Sequence, residues 1–466
     1  MGLITPAEFD VLTRLDFVIF IERVFAEICP GVEFSHNFHL DLMAMRLEAV
    51  RLGDVTRLVI NIPPRGLKSI IASIAFPAWL LGHNPSSQIM CVSYGQELAE
   101  KFARHCKQVM QSAWYQALFP RTRLSPSRSA VFDFETTEGG QRLATSIGGV
   151  VTGRGADVII IDDPMKPEDA FSETARANTN EWLANTAMSR LNNKVSGAVV
   201  LVMQRLHEDD MTGRVLEQGG WERLCFPAIA DEDETHVVTT FLGAYLHERP
   251  RGEALHSDRE PLSALLGLRR DMGSLHFNAQ YQQNPSAPDG GMINLDWFGR
   301  YDDPPNKIRF ILKSWDTGFT DGPDADYSVC ITIAVTWRGF CYILDVDRRR
   351  LLYPELKKAA KDHIKRHSRN CRVPLLFVIE DHGAGTSLIQ DLRSEGIRSW
   401  AHKPKDDKVV RMAAQTAFIE RGKVFLPNRA PWLKDFEREL VAFPNGRHDD
   451  QVDALSQALQ HLRGIR

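Results

Sequence analysis

Leu58-Val59-Ile60-Asn61-Ile62-Pro63-Pro64-Arg65-Gly66-Leu67-Lys68-Ser69 is the stretch on which the fold turns. A short apolar run enters a Pro/Gly turn and leaves it into the helix-like Ile70-Ile71-Ala72-Ser73-Ile74-Ala75. Strand, turn and helix in that order point backbone N–H groups and a helix N-terminus at an anion. Lys68 and Ser69 then stand where a phosphate-binding lysine and a magnesium-binding hydroxyl belong. The usual spacing is G-x-x-x-x-G-K-[ST]; here Gly66 is displaced by one residue and Leu67 directly precedes Lys68. Alone, the stretch reads equally well as an ordinary turn with an exposed lysine.

A second stretch shifts the balance. Val158-Ile159-Ile160-Ile161 is a β-branched run that ends in Asp162-Asp163, the pattern of a central parallel strand whose C-terminal end meets a phosphate site. Magnesium takes hard oxygen ligands, so Asp162 suits the metal shell and Asp163 suits orienting or deprotonating an attacking water. The other use of two such acids is to cap the next helix.

The 466 residues exceed what one hydrophobic core normally supports, so two domains are expected. A composition 43% apolar and 25% charged is that of an ordinary globular protein. The net charge of -4 excludes a wholesale polycation, so any nucleic-acid contact has to come from local basic patches. Seven scattered cysteines (Cys29, Cys91, Cys106, Cys225, Cys330, Cys341 and Cys371) have no zinc-binding spacing and are expected to be reduced, buried thiols. No secretory leader pattern and no run of membrane-spanning length is present, so the chain is expected to be neither secreted nor embedded.

Residues 5–52 have helical periodicity and lead into the phosphate loop, with Thr5-Pro6-Ala7-Glu8 as a start signal. His39 and Asp41, just upstream of the loop, are either an adenine-reading pair or plain packing. A second strand at Gln88–Tyr94 and a helix from Glu97 to Ser112 continue the alternation of a doubly wound α/β sheet. The glycines around Arg154 in Gly148–Asp157 make it a candidate arginine finger acting in trans, or a solvated arginine in a turn. The buried strand Ala198–Met203 ends in Gln204 and Arg205, candidates for touching the γ-phosphate and reporting hydrolysis. Beyond Trp221 the pattern degrades into a mixed region whose last part, around Pro285–Gly291, reads as a linker.

The second half restarts with strands at Arg309–Asp316, Tyr327–Val335 and Phe340–Val346, the last two joined by a turn at Arg338-Gly339. A helix over 354–367, a fourth strand at Pro374–Glu380 and closing helices follow, which suggests an antiparallel meander on a mixed sheet. Asp316 and Glu380 end strands, while Asp449, Asp450 and Asp453 open the last helix. Converging carboxylates ask for a compensating cation, and two divalent metals that cut phosphodiesters fit that demand. Lys403, Lys405, Lys408 and Arg411 precede and enter a neighbouring helix; they can hold DNA phosphates or form a solvated face.

With these residues in hand, the chain resembles the large terminase subunit of tailed bacteriophages and related prophages, the ATP-driven motor and nuclease that packages DNA. The carrying segments are Asn61–Arg65 with Lys68-Ser69, Thr152–Asp157 running into Asp162-Asp163-Pro164, Met203–Asp210, Gln280–Pro285, Ser314–Thr317 and His448–Ala454. The resemblance implies an α/β fold with an N-terminal P-loop ATPase domain of the helicase-like, additional-strand class over 1–285. It implies a linker over 286–306 and a C-terminal ribonuclease H-like nuclease domain over 307–466. It further implies ATP with magnesium, and magnesium or manganese at the nuclease. Its implied partners are double-stranded DNA, a portal protein and a small terminase subunit, with the chain in a homo-oligomeric ring on the procapsid, in the cytoplasm of a bacterial host. Carried onto this sequence, Pro64, Arg65, Gly66, Leu67, Lys68, Ser69, Asp162 and Gln204 become ATP-binding and Asp163 the catalytic carboxylate. Asp316, Glu380 and Asp450 become the nuclease triad, with Asp449 or Asp453 as a fourth metal ligand. Two departures stand out: many ATPases have glutamate where Asp163 stands, and Leu67 replaces a glycine. A repair-type helicase-nuclease without a capsid and a non-catalytic prophage relic or assembly scaffold are the competing readings.

Overall fold

The computed structural model describes residues 5–151, 153–241, 243–285, 291–318, 327–370, 373–446 and 448–464; Thr152, Cys371 and residues 286–290 of the expected linker lie outside them. The chain divides into two compact units, Met1–Leu268 with His276–Ser286, and Arg269–Leu275 with Ala287–Arg466.

The first unit is built on eight strands: β1 (Arg57–Asn61), β2 (Gln88–Ser93), β3 (Leu124–Ser129), β4 (Asp133–Thr136), β5 (Gln141–Ser146), β6 (Val158–Asp162), β7 (Ala198–Met203) and β8 (Glu222–Cys225). Their order across the sheet is β3-β4-β5-β2-β6-β7-β1-β8. From β5 to β8 every pairing is parallel; β3 and β4 add an antiparallel edge that the sequence pattern does not announce. β7 lies between the phosphate-loop strand β1 and the acid-ended strand β6, the additional-strand arrangement expected.

The period of two along these strands explains why the sheet is covered on both faces. Leu58 and Ile60, Val158 and Ile160, and Val200 and Val202 point into one apolar cluster; Val59, Ile159 and Ile161, and Val199 and Leu201 point into another. The lead-in forms the helices Pro6–Leu15, Phe17–Ile28 and Phe38–Leu52, the first closed by a Thr5/Glu8 capping box. The second and third of these helices belong to the first cluster. The Phe17 ring lies 5.2 Å from Trp79 on the helix that follows the phosphate loop, and Trp79 Nε1 donates to Glu48 at 2.9 Å. The mixed region beyond Trp221 holds a hairpin, β9 (Glu234–Thr240) with β10 (Gly243–Arg249). Just before it, the Gln282 side chain accepts from Ile229 N and donates to Ile229 O, which ties the two ends of this region together.

The second unit is a seven-stranded mixed sheet, with strands β11 (Gly299–Tyr301), β12 (Ile308–Asp316), β13 (Ser328–Thr336), β14 (Cys341–Arg349), β15 (Leu375–Glu380), β16 (Trp400–His402) and β17 (Val424–Pro427). The order is β11-β17-β14-β13-β12-β15-β16. β12, β13 and β14 form the expected antiparallel meander, turning at Gly339, and β15 adds in parallel to β12. Part of the segment read as linker is structured: a helical turn at Leu295–Trp297 leads into β11, which pairs with β17.

One face of this sheet buries Trp315, Cys330 and Ile379 under the helices Tyr353–Asn370 and Ala384–Ser394. Within it Lys313 Nζ donates to Thr332 Oγ1 at 2.9 Å and lies 3.2 Å from His363 Nδ1, whose other nitrogen lies 2.8 Å from Asp347. The ammonium has no acceptor capacity, so His363 accepts at Nδ1 and donates its Nε2–H to Asp347. Burial works against the Asp347 carboxylate, but the His363 and Arg349 hydrogen bonds outweigh it and hold its pKa at about 2. A depressed carboxyl contributes stability that is complete above its unfolded pKa of 3.8 and is lost as pH falls towards 2. His363→Ala is expected to cost roughly 1–3 kcal/mol by urea denaturation at pH 7. The gap to wild type should shrink as pH falls from about 4 towards 2, the range over which Asp347 protonates first in the unfolded chain and last in folded wild type.

The six described cysteines form no disulfide; Cys29 and Cys225 are only partly buried, against the expectation of buried thiols throughout. Among the described residues no helix is long and apolar enough to cross a membrane.

Candidate functional site

In the first unit the C-terminal ends of β1, β6 and β7 deliver Lys68, Asp162, Asp163 and Gln204 to one place. Parallel strands put their C-terminal ends on one edge, and ligands bind there. Lys68 Nζ lies 2.8 Å from Asp163 Oδ1 and donates to Gln204 Oε1 at 3.0 Å, with its side chain only 6% exposed. Ser69 Oγ donates to Asp162 Oδ1 at 3.2 Å and Ser73 Oγ to Asp162 Oδ2 at 2.8 Å. Burial, reinforced by the neighbouring Asp163 charge, pushes the Asp162 carboxyl up to about 7. Asp163 itself turns out of the strand with φ 46°, a left-handed backbone that aims its side chain at Lys68. Ser73 was not singled out by motif, although Ser69 and Ser73 share a helical face at i,i+4.

The loop between β1 and the helix explains how its departures are accommodated. Arg65 and Leu67 both have positive φ, 62° and 61°. Leu67 therefore takes a backbone that glycine adopts freely, at a cost of about 1–3 kcal/mol, and its side chain packs against the first apolar cluster. Gly66 is needed for a different reason. A Cβ there would stand 2.7 Å from Ile62 Cδ1 and 3.3 Å from Pro63 O. Gly66→Ala should displace the loop, weaken ATP binding at least about tenfold in a titration with fluorescent nucleotide, and cost about 1–3 kcal/mol of stability from overpacking.

A cleft of about 680 Å³ opens beside the loop, lined by Pro64, Arg65, Lys68, Gln204, Phe25 and Arg259. Its lining combines cations and apolar surface with the carboxylates of Glu33, Asp163 and Glu260. His39 is buried under the loop, where desolvation drives its pKa down to about 3, and it also lines a small cavity with Pro63 and Gly66. Asp41 is engaged by His36 at 2.8 Å and by the Tyr245 hydroxyl, so it braces the hairpin and does not face the cleft. Arg205, expected to couple to phosphate, instead holds Asp210 at 2.9 Å and the carbonyls of His207 and Glu208. Gln283 accepts from Arg205 N at 3.0 Å and pins that turn. Arg154 is ion-paired with Asp133 at 2.7 Å on β4. Four strands separate β4 from β1, about 24 Å at the usual strand spacing, so Arg154 does not reach this chain's own phosphate loop.

In the second unit Asp316 and Glu380 end the parallel neighbours β12 and β15, so their side chains converge. Asp449 is the N-cap of the helix Asp450–Arg463, and Asp450 and Asp453 lie in its first turn. Gln457 of that helix fixes it to β12 by donating to Ser314 Oγ at 2.9 Å and Trp315 O at 3.1 Å. Burial, then the charges of Glu380, Asp453 and Asp450, push the Asp316 carboxyl well above the usual range, with Arg411 opposing. Burial pushes Asp453 up to about 7, again against Arg411. Such shifts mark carboxylates that lack enough positive charge.

Two residues read as a DNA track are paired with carboxylates, and one of them, Arg411, is buried. Arg411 Nη2 donates to Asp453 at 2.8 Å, its Nη1 lies 4.0 Å from Glu380, and its side chain is 6% exposed. Lys408 pairs with Asp449. A buried guanidinium held by carboxylates cannot also lie along a DNA backbone; Lys403 and Lys405 remain exposed. Arg348, not foreseen, stands 3.9 Å from Asp450 and 3.6 Å from Glu439. The donor set of carboxylates alone suits a hard divalent cation. As placed, no three His, Cys, Asp or Glu side chains among the described residues are gathered closely enough to hold one.

Residues 313–462 match the family described as Terminase RNaseH-like domain. No curated protein matches the chain. Among solved structures it is similar to the large terminase from a thermophilic bacteriophage in complex with ADP, at 11% identity over 89% of this chain and 98% of that one, with a TM-score of 0.45. It is also similar to the large terminase nuclease from thermophilic phage G20c with bound magnesium, at 18% identity over 37% of this chain and 98% of that one, with a TM-score of 0.28. Residues 313–462 are a terminase RNaseH-like domain.

Proposed function

We propose that the chain is the large subunit of a terminase: a motor that hydrolyses ATP to drive double-stranded viral DNA into a procapsid, joined to a metal-dependent endonuclease that cuts concatemeric DNA. The observation that carries the reading is the presence, in one chain, of a terminase RNaseH-like domain and a phosphate loop whose Lys68 meets Asp163 and Gln204. The motor is assigned to residues 1–285 and the nuclease to 307–466, joined through 286–306.

In the motor, Lys68 takes the β- and γ-phosphates and the loop from Pro64 to Ser69 cradles them with its backbone. Ser69 and Asp162 hold magnesium, while Asp163, once Lys68 turns to phosphate, is freed to orient the attacking water. Gln204 contacts the γ-phosphate from the end of β7, where its loss on hydrolysis is felt by the turn that Arg205 and Asp210 rigidify. Arg154 serves a neighbouring subunit of the ring, leaving Asp133 to do so. In the nuclease, Asp316, Glu380 and Asp450 hold metal together with Asp449 or Asp453. A divalent ion held there, magnesium or manganese, would supply the Lewis acidity that phosphodiester cleavage needs. Lys403 and Lys405 hold DNA phosphates without reading sequence. The portal, the small terminase subunit and further copies of this chain complete the machine in the host cytoplasm.

The test is to follow ATP hydrolysis and plasmid cleavage by the purified whole chain with magnesium or manganese, with and without DNA. DNA-stimulated hydrolysis together with cleavage is expected. A chain inert in both, even with DNA and portal present, overturns the reading in favour of a scaffold.

A further inference from the structure

Three cations stand against the acidic cluster of the second unit, and one of them is unlike the others. Lys408 reaches Asp449 from an exposed position, and Arg348 lies over the Tyr327 ring, 3.9 Å from its centre. Arg411 is inside. Its side chain is 6% exposed against 22% for Arg348, Nη2 makes its one hydrogen bond to a carboxylate, and its buried Nε and Nη1, like Nε and Nη2 of Arg348, have no hydrogen-bond partner. A guanidinium carries five donors, and burying it with most of them unused is costly unless the surrounding field holds it. The field is that of Asp453 at 2.8 Å and Glu380 at 4.0 Å, with Asp316 at the end of the adjoining strand. Hydrogen bonding therefore does not explain where Arg411 sits; charge does.

That position is the one a divalent cation would seek. Glu380 and Asp453 both face the guanidinium, and with it among them the acids are not gathered into a three-donor set. We infer that Arg411 is a resident counter-cation of the nuclease site, which a divalent metal has to displace, so that the chain holds metal weakly while Arg411 stays in place. The inference rests on the metal-site reading of Asp316, Glu380, Asp450 and Asp453 given above. The helix Lys408–Glu420 is well placed for such a role. Its first turn carries Lys408 and Arg411 three residues apart, against Asp449 and Asp453 four apart on the facing helix, so one helix supplies both neutralising charges.

The experiment is manganese binding to the whole chain, without nucleotide or DNA, read by electron paramagnetic resonance and by the metal-induced rise in Tm. It compares wild type, Arg411→Met, Arg411→Lys and Asp316→Asn. Arg411→Met removes the charge and keeps the apolar stem, and is expected to bind manganese about tenfold more tightly or better. It should also melt below wild type without metal and gain more from metal. Arg411→Lys, which keeps the charge, should stay close to wild type. Should Arg411→Met fail to fold, Arg411→Gln replaces it with the same expectation. If Asp316→Asn abolishes binding but the uncharged Arg411 variant binds no more tightly than wild type, the counter-cation role is overturned and the metal site stands. If no protein binds manganese, or Asp316→Asn leaves binding untouched, the metal-site reading falls and the inference with it.

Discussion

Lys68→Ala is expected to abolish ATP hydrolysis, with a loss of at least about a hundredfold in kcat, while plasmid cleavage by the same preparation persists. The reason is electrostatic. Lys68 is nearly buried, 2.8 Å from Asp163 and 3.0 Å from Gln204, and it faces two adjacent carboxylates of which Asp162 is already driven up to about 7. Phosphates arriving at the loop bring further negative charge to the same spot. Without the ammonium they meet Asp162 and Asp163 with no compensation, so both binding and the stabilisation of transferred charge are lost. The fold should survive, because the Asp163 side chain is 24% exposed and water can take the place of the ammonium. A colorimetric phosphate assay beside a melting curve separates these outcomes. Hydrolysis retained in Lys68→Ala would remove the loop from the mechanism.

Asp316→Asn is expected to do the opposite to each activity and, unusually for an inactivating change, to stabilise the metal-free chain. Asparagine keeps the shape of the side chain and removes the charge that burial, Glu380, Asp453 and Asp450 all oppose. Cleavage should fall on the order of a thousandfold or more, since an amide cannot replace a carboxylate in holding a hard cation. ATP hydrolysis should be unchanged. Stability in urea should rise by about 0.5–2 kcal/mol, the usual scale when a strained functional group is relieved. A variant that neither loses cleavage nor gains stability would show that Asp316 is an ordinary strand-end residue.

The elements that sequence patterns reach most easily are those with short-range causes. Apolar runs mark β1, β6, β7 and β12 because each lies in a buried sheet, and the meander of β12, β13 and β14 shows in the turn at Gly339. Asp162, Asp163, Asp316 and Glu380 are visible for the same reason, as acids that interrupt buried strands at their ends. The edge strand β3 and the hairpin of β9 and β10 are less visible, since exposed strands need no apolar alternation, and β4 is only four residues long.

What the sequence by itself determined, then, is local: which segments are strands and helices, where the phosphate loop lies, and which carboxylates end buried runs. What only the tertiary structure decided is which charge meets which. That Arg411 and Lys408 pair with Asp453 and Asp449, that Arg154 pairs with Asp133, and that β7 lies between β1 and β6 are all long-range facts. A side chain's charge is written in its residue type, but its partner is set by how sheets and helices pack. In a low-dielectric interior a few ångströms decide whether a cation is a surface contact for a phosphate or the counter-charge of a buried acid.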